Sequence, residues 1–281
     1  MTAFPNVGLH GGVSNADYHA SAPISSSALK TFDESPLKYK HQYIDGHKRK
    51  ETPALALGSL IHSVVLEPDN LVNEYAVAPA ADKRTKIGKE LHAEHLALCK
   101  EKGLTSITEA DLRKAVAVSD ALHGDSLVAP LLVGGKAELS AVWADPTYGV
   151  LCKCRPDYWR ESDGLIVDLK TTADAHPDAV ERSIIDYGYA LSAAWYVEGM
   201  KNLGYENVRF VHVFVEKEPP YNRSVIEMDE DWLRIGQRQW SRALKGLYGA
   251  KEWNSYPSHA TQIIKISPPK WLKKKELGNE Q

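Results

Sequence analysis

Three residues in the stretch RPDYWRESDGLIVDLKTT, Arg155 to Thr172, have types and spacing that could do chemistry: Asp157, Asp168 and Lys170. Side chains alternate along a strand, so Asp168 and Lys170 point to one side and Leu165, Val167 and Leu169 to the other. Along the preceding segment Lys153, Arg155 and Asp157 share a side if the extended conformation persists. Ten residues separate Asp157 from Asp168 and include Asp163-Gly164, a turn signal, so the two strands can fold back as neighbours and the carboxylates converge. Converging carboxylates repel, and one pKa would rise. A divalent cation removes that conflict, because Mg2+ is held by one or two carboxylates together with waters and substrate phosphates. A lysine beside such a site can orient or deprotonate an attacking water and stabilise charge on a phosphate. On these residues alone a second reading stays open: a solvated ion pair on an edge strand, which contributes little.

These residues need a scaffold, and the chain offers one. Residues 1–23 read as irregular. In ISSSALKTFDESPLKYKHQYI two short helices are expected, the first capped by Ser25, Ser26 or Ser27, the second opened by Ser35-Pro36. ALALGSLIHSVVLEP reads as a helix with Leu57, Leu60, Ile61, Val64 and Val65 on one stripe and Pro68 as its stop. PAADKRTKIGKE is a basic loop leading into a helix around 88–102. Thr108 caps the next helix, with Asp111 at its third position and Ile107 and Leu112 suited to a hydrophobic staple. From residue 137 the texture changes. AELSAVWAD and VLCKCRPD form a hairpin through Asp145-Pro146 and Gly149, and GLIVDLK is a third strand. A long helix over about 177–202, strands VRFVHVFVE and RSVIEMD, and a helix over about 230–248 follow, then an extended tail over 254–281. The order of elements predicts one α/β domain over 1–281, with a helical region at 24–130, a core at 137–250 and a central mixed sheet flanked by helices.

Composition bounds the function. With 281 residues, 43% hydrophobic and 25% charged, the chain can bury a sizeable core. A net charge of −3 argues against a surface coated for non-specific nucleic-acid binding and leaves room for a local basic groove. DKRTKIGK, with Lys83, Arg84, Lys86 and Lys89, is the candidate phosphate-contacting loop, or else a solvated basic loop. No apolar run reaches the roughly 18 residues that span a bilayer, and MTAFPNVGLHGG has no secretory character, so no membrane partner is expected. Three cysteines, Cys99, Cys152 and Cys154, make no disulfide framework, which points to a reducing cytoplasm. A [4Fe–4S] cluster needs four, so no iron–sulfur cluster is expected. His92, His95 and Cys99 fall near one helix face, but three ligands from one helix rarely close a tetrahedral zinc site. That face is read as solvated.

RPD followed after ten residues by DLK resembles the PD-(D/E)xK nuclease signature. LCKCRPDYW, IVDLKTTADA, YGYALSAAWYVEGM and the front end ISSSALKTFDESPLKYKHQY with ALGSLIHSVVLEP are similar to the RecE-type exonucleases of phages and prophages, from about residue 15 to residue 272. The resemblance implies a restriction-endonuclease-like core. It implies that Asp157 and Asp168 ligate a catalytic Mg2+, with Mn2+ able to substitute, and that the Leu169 carbonyl and His62 add to the metal site. Lys170 then acts on the attacking water, and Glu138 matches an acidic position at the start of the first core strand, where a salt-bridging glutamate is equally compatible. Helical geometry bears on His62 separately: at about 100° per residue it lies about 130° from the centre of the Leu57, Ile61 and Val65 stripe, off the apolar face.

The resemblance departs at one point. Where such nucleases carry a glutamine four residues before a tyrosine, this chain has Ser192 before Tyr196, a spacing that keeps both on one helix face. Ser192 is expected to face DNA and Tyr196 to serve the catalytic site, whereas Tyr187 and Tyr189 read as core or interface aromatics. The implied function is Mg2+-dependent resection of linear double-stranded DNA, 5′ to 3′, for homologous recombination by strand annealing. A RecT-type annealing protein and a ring-shaped trimer or tetramer come with it. The alternatives are an endonuclease on the same core and a non-catalytic DNA-binding accessory protein.

Overall fold

The computed structural model describes residues 6–47 and 52–278. Its strands are β1 (Gly8–His10), β2 (Tyr75–Val77), β3 (Thr105–Ile107), β4 (Lys136–Ala137), β5 (Ser140–Ala144), β6 (Leu151–Cys154), β7 (Tyr158–Arg160), β8 (Leu165–Thr172), β9 (Arg209–Glu216) and β10 (Arg223–Glu227). Its helices are α1 (Asn15–Ala20), α2 (Ser26–Glu34), α3 (Pro36–Tyr39), α4 (Pro53–Leu66), α5 (Leu71–Glu74), α6 (Lys86–Lys102), α7 (Glu109–His123), α8 (Pro177–Asp186), α9 (Tyr189–Asn202), α10 (Glu230–Glu252) and α11 (Lys270–Leu277).

Local chemistry accounts for many of the helix boundaries. The Ser25 hydroxyl accepts from the Ala28 N–H, Ser35 from Lys38 with Pro36 opening α3, and Thr108 from Asp111. Each satisfies a donor that the first helical turn leaves orphaned.

The centre is a mixed sheet in the order β10-β9-β8-β7-β4, with β8 and β9 parallel and its other pairs antiparallel. The crossover from β8 to β9 runs through α8 and α9, as a parallel pair requires. One face of β8 and β9 presents Leu165, Val167, Leu169, Val211, Val213 and Val215 to α4 and α7. The other presents Ile166, Phe210 and Phe214 to a core built from α2, α9 and α10, with Trp143 and Trp195 at its heart. The expected fold class, a mixed sheet flanked by helices, is what the chain forms.

Several expectations are corrected. The segment before residue 24 is not irregular throughout: β1 pairs with β5, and α1 docks through Tyr18. The helix expected over 177–202 is two helices, because Gly188 takes a left-handed conformation (φ 61°) between them. Its apolar pattern runs through the break, and only the glycine marks it. The tail is extended only as far as α11, so Lys273, Lys274 and Lys275 lie on a helix. The face with His92, His95 and Cys99 is not solvated. Cys99 is buried, His95 Nε2 lies 2.8 Å from the Ser106 hydroxyl, and His92 Nε2 lies 3.1 Å from the Ala81 carbonyl. The face is used to seat α6 against β3 and the chain before it. No helix among the described residues is long and apolar enough to cross a membrane.

Candidate active site

The strand expected from residue 137 onward is interrupted, and the interruption builds the site. Chain segments 136–144 and 151–160 run side by side, yet they belong to two sheets: β4 and β7 join the central sheet, β5 and β6 the small sheet with β1. The bend falls at Glu138 on one segment and at Pro156-Asp157 on the other. Glu138 sits there with a left-handed φ of 48°, uncommon for a residue with a side chain, and its N–H donates to the Asp157 carbonyl at 3.0 Å. The turn after β7 closes at Gly164, also left-handed (φ 64°), and returns the chain as β8. Asp157 is thereby carried up against the middle of β8, where its Oδ2 accepts from the Leu169 N–H at 2.7 Å.

Asp168 and Lys170 share the face of β8 opposite Leu169, as strand alternation predicts. The Lys170 ammonium pairs with Asp168 Oδ2, and the same oxygen lies 2.9 Å from His212 Nδ1. Burial alone would push the Asp168 carboxyl up, but the Lys170 ammonium and the His212 hydrogen bond hold it well below the usual carboxylate range. The same pairing outweighs desolvation at Lys170 and raises its pKa. Asp157 moves the other way: burial and the Asp168 charge raise it, against His62, Lys170 and the Leu169 N–H. Burial and the Asp157 charge push Glu138 up to about 8, although Arg155 Nη1 lies 3.9 Å from its carboxylate. The edge-strand ion-pair reading therefore does not describe this pair, since β8 is central and Asp168 is 5% exposed.

His62 projects from α4 away from the buried Leu60, Ile61, Val64 and Val65, and its Nδ1 stands 4.0 Å from Asp157 Oδ2. A cleft of about 1160 Å3 opens in front of it, lined among others by Ser25, His62, Glu138, Arg155, Asp157 and Tyr196. Lys153 and Arg155 also line it, both stacked over the Tyr18 ring at 4.7 and 4.2 Å. Tyr196 packs edge-on to Phe210, and burial raises its hydroxyl pKa strongly, with the charges of Asp168 and Asp157 adding to the effect.

His62, Glu138, Asp157, Asp168, Leu169, Lys170 and Tyr196 are thus brought together, and of these His62, Glu138, Asp157 and Tyr196 line the cleft. Ser192 lies half-buried on α9 between Tyr189 and Tyr196 and does not line the cleft. Lys83, Arg84, Lys86 and Lys89 do not line it either. Arg84 is bonded to Asp82 at 3.0 Å, and Lys86 lies 3.9 Å from Glu90, so part of that basic charge is locally neutralised.

A family described as "PDDEXK-like domain of unknown function (DUF3799)" matches residues 25–266. The chain belongs to this PDDEXK-like family. That membership shows the expected PD-(D/E)xK core, and with it an enzyme of the nuclease class. The fold of this PDDEXK-like chain is shared by the crystal structure of a candidate exonuclease from Eubacterium rectale. The identity is 15%, the match covers 96% of this chain and 100% of that one, and the TM-score is 0.63. A phage-related exonuclease from Haemophilus somnus 129PT matches at 16% identity over 83% of this chain and 97% of that one, with a TM-score of 0.34. None of the curated proteins matches.

Two residues beside this cluster went unread in the sequence. His212 alternates with Phe210 and Phe214 on β9, so a histidine at a core-facing position of an apolar strand was its signal. Lys30, on α2, holds its ammonium 5.6 Å from the centroid of the Tyr189 ring and 3.2 Å from the Tyr187 carbonyl. Tyr189, read from sequence as a core or interface aromatic, carries Lys170 on its ring as well.

The donor set suits a hard divalent cation. Among the described residues no three His, Cys, Asp or Glu side chains form a ready cage. Mg2+ does not require one, since one or two carboxylates with waters and phosphate oxygens suffice. Burial, and the repulsion of Asp157 by Asp168 and of Glu138 by Asp157, raise the Asp157 and Glu138 carboxyls, and a cation would relieve the repulsion.

Proposed function

We propose that the chain is a Mg2+-dependent exodeoxyribonuclease that resects linear double-stranded DNA. The observation that carries this reading is the junction of Asp157, Asp168 and Lys170 at the bend between two sheets of a PDDEXK-like fold. Asp157, Asp168 and the Leu169 carbonyl hold the cation, with His62 beside Asp157. When bound, the cation supplies Lewis-acid polarisation of the phosphate and a more acidic attacking water. Lys170 leaves Asp168 to follow the scissile phosphate and orients the water, while Tyr196 and Glu138 shape the polar wall of the cleft. Burial and the Asp157 charge make Glu138 easier to protonate than an ordinary glutamate.

Lys30 adds a second cation for the phosphate backbone, and Lys83, Arg84, Lys86, Lys89 and Ser192 are candidates for further backbone contacts. Resection 5′ to 3′, a role in strand-annealing recombination with a RecT-type partner, a ring-shaped trimer or tetramer, and a cytoplasmic place belong to this proposal through the RecE-type resemblance. The test incubates the protein with linear and covalently closed circular duplex in Mg2+ or EDTA. Loss of the linear form alone, only with Mg2+, supports an exonuclease. Cutting of the circle identifies an endonuclease instead, and no cutting of either overturns the enzyme.

A further inference from the structure

Among the described residues, His212 is the one fully buried ionisable side chain of the central sheet whose partner is a carboxylate of the site. Parallel pairing of β8 with β9 sets Asp168 and His212 in register, so their side chains leave neighbouring strands on the same face. The same-face neighbours of His212 on β9 are Phe210 and Phe214, each in ring contact with it, and Tyr189 closes over it from α9 at 5.4 Å. A third phenylalanine would pack there more cheaply than an imidazole, because a buried polar ring must find a partner. The partner it finds is Asp168 Oδ2 at 2.9 Å. A carboxylate held ionised can only accept, so Nδ1 carries the proton and donates. Nε2 has no partner among the described residues, so the whole polar purpose of the ring is this one bond.

Lys170 pairs with that same oxygen, which gives the bond its meaning. If Lys170 alone fixed Asp168, the carboxylate would lose its orientation whenever the ammonium turned to a phosphate. Resting on the proposed reading of Asp168 as a cation ligand, we infer that His212 is the positioning residue of the site: its Nδ1–H fixes the Asp168 carboxylate independently of Lys170, leaving the second oxygen for the cation and the ammonium free to move. Outer partners of this kind typically change metal affinity by about 10- to 100-fold when removed.

Mn2+ binding to the DNA-free protein, followed by the electron paramagnetic resonance of free Mn2+, tests this without activity. Four variants are compared: His212→Leu, His212→Asn, His212→Gln and Asp168→Asn. The asparagine amide can stand where Nδ1 stands, whereas the glutamine amide reaches only toward the Nε2 position. Expected is a 10- to 100-fold weaker Mn2+ affinity in His212→Leu and His212→Gln, with His212→Asn within about threefold of the parent. Equal loss in His212→Asn and His212→Gln, at equal melting temperature, would mean that size and not donation matters and overturns the inference. Unchanged affinity in His212→Leu overturns it as well. Should His212→Leu fail to fold, the asparagine and glutamine pair still decides. Parent protein that binds Mn2+ through Asp168 but leaves DNA intact removes the nuclease reading and not this inference. Parent protein that binds no Mn2+ removes both.

Discussion

Lys30 on α2 and Lys170 on β8 hold their ammonium groups over one ring, each 5.6 Å from the centroid of Tyr189. Two cations held at one ring repel each other, and a neighbouring anion offsets that repulsion. Asp168 does so for Lys170. Lys30 has no carboxylate within ion-pair distance among the described residues and donates to the Tyr187 carbonyl, and the proposed function assigns it a DNA phosphate as its anion.

Removing the Lys30 charge should therefore separate stability from function. Burial and the Lys170 ammonium push Lys30 down to about 8, from an ordinary value of 10.5, with Asp168 opposing. Its folded-state pKa is depressed, so the unfolded chain binds the proton more tightly. The cost of keeping Lys30 charged in the fold is complete below pH 8 and fades as pH rises from 8 to 10.5. Lys30→Met should raise stability at pH 7 by about 1–3 kcal/mol and bring no gain above pH 10.5, while weakening DNA binding several-fold. Melting temperatures at pH 7 and at the alkaline end, beside DNA titrations, check both halves. A variant no more stable at pH 7 and equal in DNA binding would remove Lys30 from the site.

Lys170→Met and Asp168→Asn should each reduce hydrolysis at least about 100-fold, as loss of a charge-stabilising group at a reacting centre does. Their effects on stability differ from those of surface residues, because Asp168 is 5% exposed. Lys170→Met leaves a buried carboxylate with His212 alone and should cost about 3–5 kcal/mol. The double variant removes both charges and should recover much of that loss without recovering activity. Chemical denaturation of the three proteins gives the comparison, and a double variant less stable than Lys170→Met would contradict it.

The parts of this fold that could be read in the sequence are those fixed by local chemistry. Ser25, Ser35 and Thr108 announce helix starts because a cap is a bond between near neighbours. Asp157, Asp168 and Lys170 were legible because strand alternation and one turn suffice to bring them together. The left-handed bend at Glu138 was hidden, since AELSAVW alternates straight through it and the bend exists only where two sheets meet. His212 was hidden for a related reason: its pairing with Asp168 depends on the register of two parallel strands joined through two helices. Lys30 meets Lys170 only through the packing of α2 against the Tyr189 end of α9.

His62→Ala should shift metal use more than DNA binding. Its imidazole is off the apolar stripe of α4 and 4.0 Å from Asp157, within reach of a shared cation. Activity titrated against Mg2+ and Mn2+ should need roughly 10-fold more metal for half-maximal rate, with DNA affinity in Ca2+ changed less than about twofold. An unchanged metal requirement would make His62 an ordinary cleft-lining residue.

The α9 face that carries Tyr189 toward His212 and Tyr196 toward Phe210 also carries Ser192, between them. A serine hydroxyl is short, while glutamine offers a longer arm with both a donor and an acceptor. At Ser192 a water would bridge whatever a glutamine reaches directly, an ordering cost of at most about 2 kcal/mol. Ser192 is half-buried on α9 and outside the lining of the cleft. Ser192→Gln should fold normally and keep or modestly raise turnover. Tyr196→Phe removes the hydroxyl of a cleft-lining residue and should lower turnover by roughly 2- to 10-fold, the worth of one hydrogen bond. Single-turnover cleavage of an end-labelled duplex measures both. Loss of activity in Ser192→Gln at normal stability, together with parent-like rates in Tyr196→Phe, would place the working face of α9 elsewhere and leave Tyr189 as its only residue at the site.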